Sequence, residues 1–189
     1  MNSRNNLCPW LAATLLVLPG LAAAHTGNTG NGWLSAALHP LTGADHLLAL
    51  LAVGLVASRQ PPAMQLKLAG VVVTGLLAGL FVTTLTLALP WMELAIAGSV
   101  VLAGVLLATR PQRLNGLILA LIGAFFSLHG LAHATELAGL NAVGLATGLV
   151  SGSLLVLVGA QLAGEYLNPG LLRWTGMATA LSGLLMMSA

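Results

Sequence analysis

The sequence predicts an all-α membrane protein: a polytopic bundle of six transmembrane helices behind a cleavable signal peptide. Three observations lead there. Of 189 residues, 58% are hydrophobic and 5% charged, with a mean hydropathy of +0.97, far from the composition of a soluble domain. The apolar residues gather into six runs, most of them near the roughly 20 residues that cross a bilayer as helix. The basic residues beyond the leader all fall on one side of the resulting alternation, which is the cytoplasmic side by the positive-inside rule.

Residues 1–24 read as the signal peptide. Arg4 supplies the n-region, Leu11 to Leu18 the apolar run and Pro19-Gly20 the breaker, and Ala22-Ala23-Ala24 is an Ala-x-Ala cleavage site. Pro9 follows Cys8 ahead of the apolar core, which argues against lipoprotein processing. Cys8 is the only cysteine, so the processed chain has no thiol and any metal site must use nitrogen and oxygen donors. Residues 25–189 form a single six-helix domain, opened by a polar stretch from Gly27 to Gly32. The spans are expected at Leu41 to Val56, Leu66 to Leu89, Trp91 to Ala108, Leu114 to His133, Leu140 to Leu162 and Leu171 to Met187. Pro61-Pro62, Pro90, Pro111, Asn141 and Asn168-Pro169 mark the breaks.

With an exported N-terminus, the cytoplasmic connections hold Arg59 and Lys67, then Arg110 and Arg113, then Arg173. The expectation is a multi-pass protein of the bacterial inner membrane with both termini periplasmic. Gly75 and Gly79, and the stripe Gly144, Gly148 and Gly152, have the spacing that lets membrane helices approach closely. Spans one to three and four to six have the odd count that makes an inverted repeat, although residue similarity between these halves is thin.

Six basic against four acidic residues are too few and too scattered for a nucleic-acid surface. The polar chemistry is concentrated instead. The first span opens with His39-Pro40-Leu41-Thr42-Gly43-Ala44-Asp45-His46, where Pro40 suits a first helical turn and His39 and His46 share a face if the helix begins early enough. An aspartate inside an apolar span is costly and marks a functional path or a pairing. The fourth span ends with His129, His133 and Glu136 at i, i+4 and i+7, one stripe of ligand-type side chains.

At about 1.5 Å per residue, Asp45 and His46 lie roughly 20 Å from Arg59, His129 about 24 Å from Arg113, and Glu93 about 25 Å from Arg110. Three helices thus bring acids or imidazoles to one level near the outer face. Imidazole with carboxylate suits Ni(II), Co(II), Zn(II) or Fe(II). The ordinary reading of a single membrane histidine such as His39 is a hydrogen bond to a neighbouring helix, and Glu93 at a span start equally suits interfacial solvation or the helix dipole. His25, exposed by cleavage, is a possible additional metal ligand, with plain flexibility as its ordinary reading.

The pattern His-Pro-x-x-Gly-x-Asp-His, running on to Val53-Gly54, resembles the signature of the HupE/UreJ family. So does the run from Phe125 through Ser127, His129 and Gly130 to His133, with Glu136 after it. The resemblance covers essentially the whole chain. It implies nickel-handling roles for His39, Asp45, His46, His133 and Glu136, and by extension for Glu93 and His129. One departure is Ala134, where that pattern has glycine; it leaves cobalt or another divalent ion open.

The function expected is a secondary, non-ATP permease for a divalent transition-metal cation, Ni(II) first and Co(II) or Zn(II) next, supplying hydrogenase or urease maturation. No prosthetic group is expected. The partners are the metal ion and the lipid bilayer, with room for a homo-oligomer or a metallochaperone. The alternatives are an intramembrane zinc-dependent hydrolase, suggested by Ser127 beside His129, and a metal-binding scaffold without transport. The inward half offers mainly hydroxyls and an amide, such as Ser151, Ser153 and Gln161.

Overall fold

The structure, a computed structural model, describes residues 32–82, 91–137 and 139–188. The leader and His25 lie outside the described residues. Among those described are seven α-helices and one 3-10 turn: α1 (Gly32–Leu38), the turn (His39–Leu41), α2 (Ala44–Ala57), α3 (Pro62–Val82), α4 (Met92–Thr109), α5 (Gly116–Glu136), α6 (Ala142–Tyr166) and α7 (Pro169–Met186). Four of them, α3 to α6, are long and apolar enough to cross a membrane, or five candidates if α1 and α2 together count as one broken span.

Helix starts follow from capping. Asn115, Asn141 and Asn168 each accept a backbone N–H of the first turn, from Ile118, from Val143 and Gly144, and from Leu171 respectively, which satisfies donors that the start of a helix leaves open. Pro169 then fills the first turn of α7.

The continuous helix expected over Leu41 to Val56 is not what forms. The chain makes α1, turns at His39–Leu41, and resumes as α2 at an angle of 72°. Pro40 sits in the short turn rather than at the head of the long helix, and Thr42 closes that turn by giving both its N–H and its hydroxyl to the His39 carbonyl. Alone, the 14 residues of α2 extend only about 21 Å, short of the roughly 30 Å apolar core.

Glycines set the crossings. A Cβ at Gly79 would strike the Ser127 carbonyl and one at Gly75 would lie 2.6 Å from the Gly123 carbonyl, so α3 rides directly on α5. Gly148 and Gly152 seat α6 against Trp33 and Ala37 of α1, and Gly54 of α2 meets the Leu157 carbonyl. Residue numbers rise together along these contacts, so α3 runs parallel to α5, and α1 and α2 parallel to α6. Between α4 and α7, Gly104 meets Ala180 while Gly183 meets Val101, so that pair is antiparallel.

At the end of the bundle where α2 finishes, Arg59 donates to the Gly164 and Leu167 carbonyls. Arg110 and Arg173 line one hollow there. A chain of amides runs across the same end: Gln161 donates to Gln65 at 2.9 Å, Gln65 to the Gln60 carbonyl at 2.9 Å, and Gln60 to the Pro111 carbonyl at 3.0 Å. Gln161 is thus one member of a four-segment tie, whereas the Ser151 hydroxyl bonds back to the Thr147 carbonyl of its own helix.

Candidate metal centre

The site forms where the 3-10 turn, the start of α2 and the end of α5 meet. His39, Asp45, His46, His129, His133 and Glu136 all come together there. The imidazole rings form a continuous group, with centroids 4.6 Å apart for His39–His133, 4.1 Å for His46–His133 and 4.2 Å for His46–His129. His46, His129 and His133 are buried at 6%, 0% and 1% exposure. His39 and His46 approach each other not along one helix face but because the break in the chain swings His39 back, their rings 6.5 Å apart.

Each motif residue has a local reason. Asp45, in the first turn of α2, accepts the His46 backbone N–H at 2.8 Å and faces its Nδ1 at 2.8 Å. It thereby takes up an open helix-start donor and fixes the imidazole with Nδ1–H toward the carboxylate, as carboxylates beside metal-binding histidines do. A Cβ at Gly43 would come within 3.0 Å of His46 Nδ1 and 3.1 Å of Asp45 Oδ1, so the glycine leaves room for that pair. Gly130 lets α5 press on the Leu76 backbone, which holds His129 beside it and His133 three residues further along. Phe126 backs His129 at 5.4 Å.

His129 is held by a residue that sequence reasoning missed. Ser99 of α4 lies 2.8 Å from His129 Nε2, and its hydroxyl is 2.6 Å from the Ile96 carbonyl. A serine has one hydroxyl hydrogen. With it on Ile96, His129 donates Nε2–H to Ser99, and Nδ1 is left as a bare lone pair. A signal was available: Ser99 is the sole hydroxyl residue in the run Trp91 to Ala108. Ser99→Ala should weaken metal binding by about 10–100-fold, the usual cost of losing an orienting partner, without changing the number of ions bound. Equilibrium dialysis with Ni(II) measures it, and unaltered affinity would remove Ser99 from the site.

Among the described residues, three buried imidazole nitrogens accept or donate no hydrogen bond: His46 Nε2, His129 Nδ1 and His133 Nδ1, the last facing a Glu136 oxygen at 3.7 Å. The ligand atoms fall into two groups, His39 with His133 and Glu136, and Asp45 with His46 and His129, each within 4.8 Å internally. Glu136 meets His39 Nε2 at 2.9 Å and lies 3.7 Å from His133 Nδ1. It stands past Ala134, the last residue of its span, and the neighbouring imidazoles of His133 and His39 hold its carboxyl well below the usual carboxylate range.

Glu93 belongs to neither group. It is exposed at the start of α4, yet it lines the same cavity of about 370 Å³ as Asp45, His46 and Glu136, with Met92 and Met186 on the wall. Ser127, the residue behind the hydrolase alternative, gives its hydroxyl to the Gly123 carbonyl at 3.0 Å and so is turned back on its own helix.

Comparison with known proteins completes the description. A family model described as "HupE / UreJ protein" matches residues 13–186. Protein HupE of Rhizobium leguminosarum bv. viciae is 32% identical over 150 residues, which cover 75% of this chain and 74% of the relative. No solved structure matches.

Proposed function

Because the chain belongs to the HupE/UreJ family, we propose that it is a secondary permease for a divalent transition-metal cation, with Ni(II) the leading substrate, serving hydrogenase or urease maturation. The observation that carries this reading is the trio of buried imidazole nitrogens that make no hydrogen bond among the described residues, beside two carboxylates. Each polar atom left bare in an apolar interior costs about 1–3 kcal/mol. A cation bound there offsets that cost several times over, and its charge is balanced by Asp45 and Glu136. Nitrogen and oxygen donors without sulfur suit Ni(II), Co(II) or Zn(II).

In this reading the ion enters through the cavity that Glu93 and Glu136 border, exchanges water for imidazole, and leaves toward the end where Arg59, Arg110 and Arg173 lie. By charge we read that end as the cytoplasmic one, and in the same reading both termini are periplasmic and the chain lies in the inner membrane. The parallel and antiparallel helix pairs support six alternating crossings, with α1 and α2 as a broken first span and α7 as the last. An inside-negative potential drives a divalent ion inward by about 4.6 kcal/mol per 100 mV, twice the value for a single charge.

Cells lacking their own nickel importer and expressing this chain should take up radiolabelled nickel well above vector controls, with Co(II) competing. Metal binding to the purified protein without uptake would replace this reading with the scaffold. Neither binding nor uptake would end it.

A further inference from the structure

The two halves of the bundle repeat one packing scheme. α3 packs chiefly on α5, α6 packs on α1 and α2, and α4 packs on α7. Exchanging the first three spans with the last three turns the first pairing into the second and the third into itself.

The correspondence holds residue by residue. Gly75 meets the Gly123 carbonyl and the Phe126 Cβ, and Gly148 meets the Trp33 carbonyl and the Ala36 Cβ. Gly79 meets the Ser127 carbonyl, and Gly152 meets the Ala37 carbonyl. On the α5 and α1 side, each matched pair is 90 residues apart. The same offset superimposes Leu128-His129-Gly130-Leu131 on Leu38-His39-Pro40-Leu41. Opposite orientation of two such three-span halves is an inverted repeat, whose substrate sites lie where the halves meet.

Carried into the cluster, the offset pairs His39 with His129 and His46 with Glu136. The contact between His39 and Glu136, 2.9 Å, therefore corresponds to the contact between His129 and His46, with rings 4.2 Å apart. The third ligand of the first group, His133, falls on Gly43, and Asp45 two residues further on supplies the missing donor. The two ligand groups are thus pseudosymmetric counterparts. One is more open, with Glu136 exposed, and the other holds two buried histidines. They touch through His46 and His133, 4.1 Å between centroids.

We infer that the centre is two cation positions related by the internal repeat, His39–His133–Glu136 nearer the opening and Asp45–His46–His129 deeper, between which an ion passes. This rests on the permease reading for its purpose, but it concerns how many ions the chain holds, which that reading leaves free. A second position lets an incoming ion displace the first, so that tight coordination need not mean slow release.

The test is Ni(II) equilibrium dialysis and Co(II) optical titration of the full chain in detergent, with His25→Ala throughout so that this residue adds no binding. Two equivalents per chain are expected. The pair His39→Ala with Glu136→Gln, and separately the pair Asp45→Asn with His129→Ala, should each leave one. A single equivalent in the chain with both groups intact overturns the two positions while leaving metal transport standing. So does complete loss of binding in both double variants when they elute as folded species. No binding by the intact chain overturns this inference and the permease reading together. If a double variant does not fold, the stoichiometry of the intact chain alone decides.

Discussion

Replacing His46 with alanine is expected to reduce nickel uptake by at least about 100-fold, and Asp45→Asn by about 10–100-fold. His46 is the residue both ligand groups share a boundary with: its ring touches those of His129 and His133, and its Nε2 is one of the bare buried nitrogens. The alanine variant removes a ligand and leaves the Asp45 carboxylate without its Nδ1 partner. Asp45→Asn keeps the shape, and its carbonyl still accepts the His46 backbone N–H, but the charge that offsets the ion is gone and the imidazole is no longer held in one tautomer. Asn keeps a donor oxygen at this position, so the expected loss is that of charge and orientation, about 10–100-fold in metal affinity, whereas losing the His46 ligand outright lies beyond that range. Radiolabelled nickel uptake, normalised to folded protein in the membrane, measures both. Uptake by both variants at the unmodified rate would sink the assignment of this cluster to transport.

Much of this was legible because period and depth are written in the chain. Helices α4 to α7 begin and end within four residues of the apolar runs, since proline and asparagine breaks stand where caps form. His129, His133 and Glu136 fell on one stripe because a single helix carries them. The fate of residues 32–43 was not legible. Gly32–Leu38 is seven residues, too short to hold helix on its own, and it is held by Gly148 and Gly152 of α6, more than a hundred residues away. A continuous first helix was the natural reading of His39 and His46 at seven apart. The chain reaches the same proximity through a break.

Contacts across helices were equally hidden. Nothing local says that Ser99 reaches His129, that Gln65 reaches Gln161, or that Ser127 turns back on its own helix. The repeat was hidden for a related reason: it survives in where glycines admit a neighbouring backbone and in one four-residue stretch identical at three positions, while the intervening apolar residues have diverged without changing what they pack.

Gly79→Ala should be the most damaging of the conservative substitutions. A methyl there would meet the Ser127 carbonyl and lie 2.7 Å from the Leu131 nitrogen. Both obstacles are backbone of a helix, so no side chain can swing aside, and α3 and α5 must separate. Lipid tails are as apolar as the helices, so membrane helix association depends on such close packing rather than on hydrophobic burial. A cost of about 3 kcal/mol, the upper end of ordinary overpacking, corresponds to a fall of about 6–12 °C in Tm for a chain of this size. The same displacement moves His129 and His133 away from His46, so uptake should fall with stability. Gly70→Ala on the same helix and Gly159→Ala on α6 are the controls, because a Cβ at either meets nothing within 4 Å among the described residues and alanine favours helix by about 1 kcal/mol over glycine. Those two should melt at or above the unmodified temperature in a thermal size-exclusion assay. If Gly79→Ala melts with them, the α3–α5 crossing, and the placement of the α5 histidines that depends on it, is wrong.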